Sequence, residues 1–191
     1  MNEQKAAEFL ETVQSNFGPH ILALDESAFF YTHVRGYAWS KKGTRAIVKA
    51  PAIRGKAHSL LLCINSAGVV FWQLYLGAVT AKRFIEFLGQ LPRGSTIVLD
   101  NAKIHHAPYV LRKQGLPTVP EVAARHSITM SYLPAYAPKL NPVELCFNTI
   151  KTFVRREQPR TAGQLHACVE AAVLTLTPRV CSATITKVFE L

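Results

Sequence analysis

Only two aspartates occur among the 191 residues, and each follows an apolar run typical of a buried strand. Asp25 follows Ile21-Leu22-Ala23-Leu24, and Asp100 follows Ser95-Thr96-Ile97-Val98-Leu99. A third carboxylate, Glu144, lies in the first turn of a predicted helix after a proline-rich loop. Because strand ends and helix starts can meet at one edge of a sheet, we expect these three carboxylates to converge there.

Three carboxylates brought together repel one another, so such a cluster requires a counter-cation. Hard oxygen ligands suit Mg²⁺ or Mn²⁺ rather than Zn²⁺. Two such ions, about 4 Å apart, would stabilise the attacking and leaving oxygens of an in-line phosphoryl displacement. The formal net charge is +10, from 22 Lys and Arg against 12 Asp and Glu, which favours a polyanionic partner. These features together predict phosphodiester chemistry on nucleic acid.

Each carboxylate also has a purely structural interpretation. Taken alone, Asp25-Glu26 is more typical of a polar strand end on the surface, and Asp100-Asn101 of a turn or a helix cap. Asn141 as N-cap, Pro142 at the first helical position and Glu144 at the third would form a capping box, which needs no catalysis.

Helical-wheel spacing adds to the case for Glu144. At 100° per residue, Glu144 shares a polar and basic face with Asn148, Lys151 and Arg155. The apolar residues Cys146, Phe147, Ile150 and Val154 point away from this stripe. The polar stripe suits a phosphate backbone, although a solvated helix face would look similar.

The elements that position these residues follow from apolar periodicity and turn signals. We predict helices over residues 3–15, 80–91, 107–114, 161–175 and 178–189, with a long helix beginning at 141–144. We predict strands over 21–24, 45–49, 58–64, 69–76, 95–99 and 128–133, and a loop containing Pro117 and Pro120. Antiparallel strands followed by strands alternating with helices indicate one mixed α/β domain.

The sequence also disfavours a membrane-spanning segment, a zinc site, a nucleotide-binding loop and a serine hydrolase. The uncharged run 59–79 is long enough to span a bilayer, but Asn65-Ser66-Ala67-Gly68 interrupts it and favours a hairpin of two strands. The adjacent His105 and His106 point apart in any regular structure, which argues against zinc and favours residues that line the cleft or cap a helix. No phosphate-cradling glycine motif and no G-x-S-x-G occurs. The four cysteines lack a C-x-x-C pair and are typical of reduced thiols in an intracellular protein.

The motifs resemble those of one family. These are Leu24-Asp25-Glu26-Ser27, Arg35-Gly36-Tyr37-Ala38-Trp39, Val98-Leu99-Asp100-Asn101-Ala102 with His105-His106, and the run from Leu133 to Glu144, LPAYAPKLNPVE. The pattern resembles the catalytic domain of mariner-like DDE transposases, the DDE superfamily endonucleases, over about residues 20–160. The stretch 133–144 is its most specific part.

The resemblance implies an RNase H-like fold, a mixed sheet flanked by helices, with Asp25, Asp100 and Glu144 as the catalytic and metal-binding triad. It implies two Mg²⁺ or Mn²⁺ ions: Asp25 bridges both, Asp100 holds one and Glu144 holds the other. The family nicks transposon ends with activated water and then joins the freed 3′-hydroxyl to target DNA. We expect nucleic-acid contacts from nearby polar and basic residues: Asn101, Lys103, His105, His106, Lys139, Asn148, Lys151 and Arg155.

The resemblance also sets expectations for organisation and partners. We expect a single catalytic domain over 1–191, made of a leading helix (1–19), a core (20–160) and C-terminal helices (161–191). We expect this chain to lack the family's N-terminal helix-turn-helix region, so that end recognition needs a separate DNA-binding subunit or domain. We expect the partners to be transposon-end and target DNA, with a homodimer as the active form and no membrane. The expected location is intracellular, at DNA, in a bacterial nucleoid or a eukaryotic nucleus.

Two features bear on this interpretation. Positions 101–143, forty-three residues, separate Asp100 from Glu144, which is longer than is common in the family, and we place the insertion at 115–126. The alternative functions are a non-catalytic nucleic-acid-binding module, domesticated or decayed, and a structural RNA-binding protein. The intact acidic triad argues against decay, and the RNA-binding alternative gives no reason for the motifs.

Overall fold

The computed structural model describes residues 3–30, 39–47, 56–135 and 137–191, in which five strands form one mixed sheet. The strands are β1 (Ile21–Phe29), β2 (His58–Asn65), β3 (Gly68–Leu76), β4 (Thr96–Leu99) and β5 (Thr129–Tyr132). Their order across the sheet is β3-β2-β1-β4-β5. The β1–β2 and β2–β3 pairs are antiparallel, whereas β1–β4 and β4–β5 are parallel. The mixed sheet predicted from the sequence is therefore confirmed.

Helices cover both faces of this sheet. They are α1 (Glu3–Ser15), α2 (Ala81–Leu88), α3 (Pro108–Lys113), α4 (Val119–Arg125), α5 (Val143–Glu157), α6 (Ala162–Leu174) and α7 (Pro178–Phe189). Two 3₁₀ turns, Lys103–His105 and Pro138–Leu140, lie in the connections that follow β4 and β5. The predicted helices at 3–15, 161–175 and 178–189 agree with α1, α6 and α7.

Strand β1 is buried on both faces, because helices cover both sides of the sheet. Successive side chains of the strand point to opposite sides and so enter different cores. Ile21 and Ala23 join a core formed with α1, α5, α6 and α7. Leu22 and Leu24 join a second core formed with α2, α3 and α4. By the same alternation, Asp25 lies on the face that α5 covers.

Strand β1 is longer than the sequence predicted. The prediction ended the strand before Asp25, but β1 continues to Phe29 because β2 pairs with it from Ala23 as far as Phe29, opposite His58. Asp25 is thus held in an extended strand rather than in a flexible connection. The predicted strand at 45–49 is wrong over 45–47, which carry no strand, and 48–49 lie outside the described residues.

Two other predicted boundaries are corrected. Helix α2 ends at Leu88 rather than at residue 91, because Gly89 caps it and Pro92 has no N–H with which to continue it. The predicted loop around Pro117 and Pro120 contains helix α4. Proline is compatible with a first helical turn, and the Thr118 N–H donates to Glu121 Oε2 at 2.7 Å.

The uncharged run 59–79 forms the β2–β3 hairpin, as the sequence predicted. In the described part of the chain no single helix is long and apolar enough to cross a membrane. Helices α6 and α7 reach the required length and composition only together, with a bend of 75° between them.

Candidate active site

The parallel strands bring the two aspartates to the same edge of the sheet. The last β1–β4 pair is Ala23 with Val98, and Asp25 and Asp100 each lie two residues beyond it. Strand β5 continues alongside β4 until the Leu133 N–H donates to the Leu99 carbonyl oxygen at 2.9 Å. Helix α5 follows in the chain, and its first turn carries Glu144. This route places all three carboxylates at the carboxyl-terminal edge of the parallel strands.

Asp25 is a half-buried carboxylate that accepts hydrogen bonds from two donors. Oδ1 accepts the Glu26 N–H at 2.7 Å, and Oδ2 accepts the Asn141 amide at 3.1 Å. Burial, joined by repulsion from the Asp100 and Glu144 carboxylates, raises the pKa of Asp25 to about 7. Asp25 therefore lies near enough to Asp100 and Glu144 to be repelled by both carboxylates.

Asp100 is more open, with 49% of its side chain exposed. His105 Nδ1 lies 3.1 Å from Asp100 Oδ1 and 2.9 Å from the Asp100 carbonyl oxygen. The Ala102 N–H also donates to Oδ1, at 3.2 Å. The hydrogen bond from His105 is the main reason that the pKa of Asp100 lies below its ordinary value.

The two adjacent histidines have different surroundings, as expected for side chains that point apart. His105 is 2% exposed and packs on Phe84, with ring centroids 4.4 Å apart. Its prediction as a DNA contact is corrected, because a buried ring that holds Asp100 is not available to a phosphate backbone. His106 is exposed, hydrogen-bonds to Asn101 Oδ1 and stacks on Tyr132 at 4.7 Å. Sequence reasoning missed this role of His105, for which the five-residue spacing from Asp100 was the only signal.

The alternative of a capping box at the start of α5 does not form. The Asn141 N–H donates to the Pro138 carbonyl oxygen at 3.0 Å, so it is not bonded to the Glu144 side chain. The Asn141 Oδ1 atom does accept the Val143 N–H, at 3.3 Å. Asn141 therefore caps the helix alone, and the half-buried Glu144 carboxylate is left for another role.

The carboxylates fit a divalent cation held by few protein ligands. Across the described ranges, no three His, Cys, Asp or Glu side chains lie close enough together to hold one ion. Mg²⁺ usually takes one or two protein carboxylates and completes its shell with water and phosphate oxygens. Because Asp100 and Glu144 both raise the pKa of Asp25, a cation near Asp25 would relieve the repulsion. An open cleft of about 390 Å³ beside Asp100, lined also by Asn101, Leu133 and Pro138, leaves room for a substrate.

The raised pKa of Asp25 predicts a pH-dependent stability. An ordinary Asp titrates near pH 3.8 and folded Asp25 near pH 7, so stability falls as the pH rises between these values. Asp25→Asn removes this ionisation, so the variant should gain stability relative to wild type as the pH rises. We expect the difference in free energy of unfolding between variant and wild type to be about 2 kcal/mol larger at pH 8 than at pH 5. Urea unfolding in chelator at both pH values measures this difference, and an equal effect at both would contradict it.

The pattern of buried and exposed residues on α5 agrees with the predicted basic and polar stripe. Cys146, Phe147, Ile150 and Val154 are all buried. On the other face Asn148 and Arg155 are exposed. Lys151 is half-buried, with Nζ 6.0 Å from the ring centroid of Phe29 and 5.9 Å from that of Phe147.

Comparisons with known proteins agree with this geometry. A family model described as DDE superfamily endonuclease matches residues 20–166. A Mos1 transposase paired-end complex with the left transposon end superposes with a TM-score of 0.75 at 18% identity, covering 98% of this chain and 57% of that chain. The catalytic domain of Mos1 mariner transposase gives a TM-score of 0.71 at 15% identity, covering 98% and 86%. A search of curated protein sequences gave no match.

These likenesses show that this chain has the RNase H-like fold of the Mos1 catalytic domain. The chain spans less than two thirds of the length of the longer Mos1 chains that it matches. The family match covers most of the chain and includes Asp25, Asp100 and Glu144. The chain therefore belongs to the DDE superfamily endonucleases.

Proposed function

We propose that this chain is a transposase catalytic domain that acts as a divalent-metal-dependent DNA endonuclease and strand transferase. The observation that carries the proposal is the convergence of Asp25, Asp100 and Glu144 at one sheet edge of a DDE-family fold. The hydrogen bonds at Asp25 and Asp100 fix these two carboxylates before substrate binds, as preorganised catalysis requires.

The proposed cofactors are two Mg²⁺ or Mn²⁺ ions. Asp25 would contribute to both sites, Asp100 to one and Glu144 to the other. Support comes from the carboxylate donor set, and Mos1 paired-end complexes have been solved with Mn and with Mg. When bound, the ions would neutralise charge on the phosphate and lower the pKa of bound water. The protein's own part is to hold the carboxylates in place and to orient the DNA strand at the sheet edge.

The proposed reaction has two in-line displacements at phosphorus. In the first, a water oxygen forms a bond to the phosphorus and the bond to the 3′-oxygen breaks, which leaves a 5′-phosphate and a 3′-hydroxyl. In the second, that 3′-hydroxyl forms a bond to a phosphorus of the target strand, whose own 3′-oxygen leaves. In both steps the attacking oxygen loses a proton and the leaving oxygen gains one, so atoms and charge balance.

The proposed DNA surface surrounds the carboxylate edge. Its polar and basic members near Asp100 and before α5 are exposed: Asn101, Lys103, His106 and Lys139. On α5 it continues through Asn148, Lys151 and Arg155. We propose transposon-end and target DNA as partners, because Mos1 has been solved in complexes with a transposon end and after strand transfer. A homodimer, a separate DNA-binding subunit or domain, and an intracellular place at DNA belong to the same proposal.

A plasmid-nicking assay tests the proposed function. We expect wild-type protein to convert supercoiled plasmid to the open circle with Mn²⁺ or Mg²⁺, and to leave it intact in chelator. Glu144→Gln should nick no faster than the chelated wild type, whereas Glu170→Gln, which changes an exposed carboxylate of α6, should nick normally. Equal nicking with and without metal would contradict the proposal. DNA binding without nicking under every metal condition would favour the non-catalytic alternative.

The proposed DNA surface also predicts a specific salt dependence. Lys139→Ala should reduce the slope of log binding constant against log salt by about 1, because one phosphate contact is lost. Arg93→Ala is the matched control, since Arg93 is exposed just before β4 at the opposite edge of the sheet. Fluorescence anisotropy with a labelled duplex over a salt series measures both slopes. Equal reductions for the two variants would show that the contact surface lies elsewhere.

A further inference from the structure

Asn141 is a buried polar residue, 1% exposed, between the start of α5 and strand β1. Its side-chain nitrogen donates to the Leu24 carbonyl oxygen at 3.3 Å and to Asp25 Oδ2 at 3.1 Å. Its side-chain oxygen accepts the Val143 N–H at 3.3 Å. One side chain thus joins the strand that carries Asp25 to the helix that carries Glu144.

Two backbone groups fix the orientation of this amide. The Leu24 carbonyl oxygen can only accept a hydrogen bond, and the Val143 N–H can only donate one. The Asn141 nitrogen must therefore face Leu24 and its oxygen must face Val143. With the amide in this orientation, the nitrogen also faces Asp25, so a donor rather than an acceptor meets the carboxylate.

We propose that Asn141 is a positioning residue for the metal site: it holds the Asp25 carboxylate in a fixed orientation and sets the distance between Asp25 and Glu144. This inference rests on the proposed function, because it assigns Asp25 and Glu144 to one cation site. Helix capping alone requires only the Asn141 oxygen. The two bonds made by the nitrogen to β1 are additional, and they connect positions 116 and 117 residues apart in the sequence.

Asn141→Ser separates capping from positioning. Serine can still accept the Val143 N–H, but it is too short to donate to Asp25 and has no amide. We expect this variant to bind Mn²⁺ about tenfold more weakly than wild type, as is typical when a partner of a metal ligand is lost. Thr118→Ala is the matched control, because it removes a buried polar group that caps α4, away from the carboxylates. It should lower the melting temperature and leave Mn²⁺ affinity within about twofold of wild type.

Calorimetric titration of Mn²⁺ into the full chain and both variants gives the decisive comparison. Wild-type affinity in Asn141→Ser, or equal losses in the two variants, would overturn the positioning role. If wild-type protein binds no Mn²⁺ either alone or with a short DNA duplex present, the proposed metal site fails, and NMR of the Asn141 side-chain amide tests the inference without metal. Asp25→Ala should then shift these amide protons and speed their exchange with water. Unchanged shifts and exchange rates would overturn the inference.

Discussion

Asp100→Asn is expected to lower the rate of metal-dependent DNA nicking about a thousandfold while DNA affinity stays within about twofold of wild type. A metal ion supplies several kcal/mol of transition-state stabilisation, and each 1.36 kcal/mol corresponds to a factor of ten in rate. Asparagine keeps an oxygen that accepts the Ala102 N–H, so the connection after β4 retains its local structure. What it loses is the negative charge that the cation requires.

Glu170→Gln is the matched control for this prediction, because it removes one negative charge from an exposed position on α6. The two variants have the same net charge, so a general effect of charge on DNA binding would appear in both. Single-turnover nicking with Mn²⁺ measures the rates, and anisotropy measures DNA affinity. Wild-type nicking by Asp100→Asn would exclude Asp100 from the catalytic site.

Phe147→Ala is expected to lower the free energy of unfolding by about 4 kcal/mol, the largest stability effect that we predict. Phe147 is fully buried on the apolar face of α5, in the core that packs against β1. Removing the ring loses buried apolar surface and leaves a cavity that the surrounding strands and helices fill only in part. This packing fixes α5 against the sheet. Because α5 carries Glu144, the same packing also holds Glu144 in position.

Asn148→Ala is the control for the core prediction, since Asn148 is adjacent in sequence but exposed on the polar face. We expect it to change stability by no more than about 0.5 kcal/mol. Urea denaturation of both variants, with and without Mn²⁺, measures the difference. A loss at Phe147 as small as that at Asn148 would contradict the buried packing of α5.

The convergence of the carboxylates was predictable from sequence because it depends on local signals. Asp25 and Asp100 follow apolar runs, and parallel neighbouring strands present their carboxyl ends at one edge. The length of β1 beyond Asp25 was not predictable, since it depends on pairing with β2, whose paired residues lie 29 to 35 positions further along the chain. Local patterns carry no record of such a distant partner.

The details of the site illustrate the same distinction. The residues around Asn141 correctly predicted a helix start, because capping is local. Its bonds to Leu24 and Asp25 are tertiary contacts and could not be inferred from the capping pattern. The sequence likewise did not distinguish His105 from His106. The buried environment that Phe84 supplies makes His105 a partner of Asp100, while His106 remains at the surface.

The most direct test of a divalent-cation site at these carboxylates is calorimetric titration of Mn²⁺ into wild-type protein and into Asp25→Asn. A short DNA duplex should be present, because its phosphate oxygens complete the coordination of a cation that has few protein ligands. We predict saturable binding to the wild type that Asp25→Asn abolishes and that Glu170→Gln retains. Identical binding curves for wild type and Asp25→Asn would contradict a cation site built on Asp25.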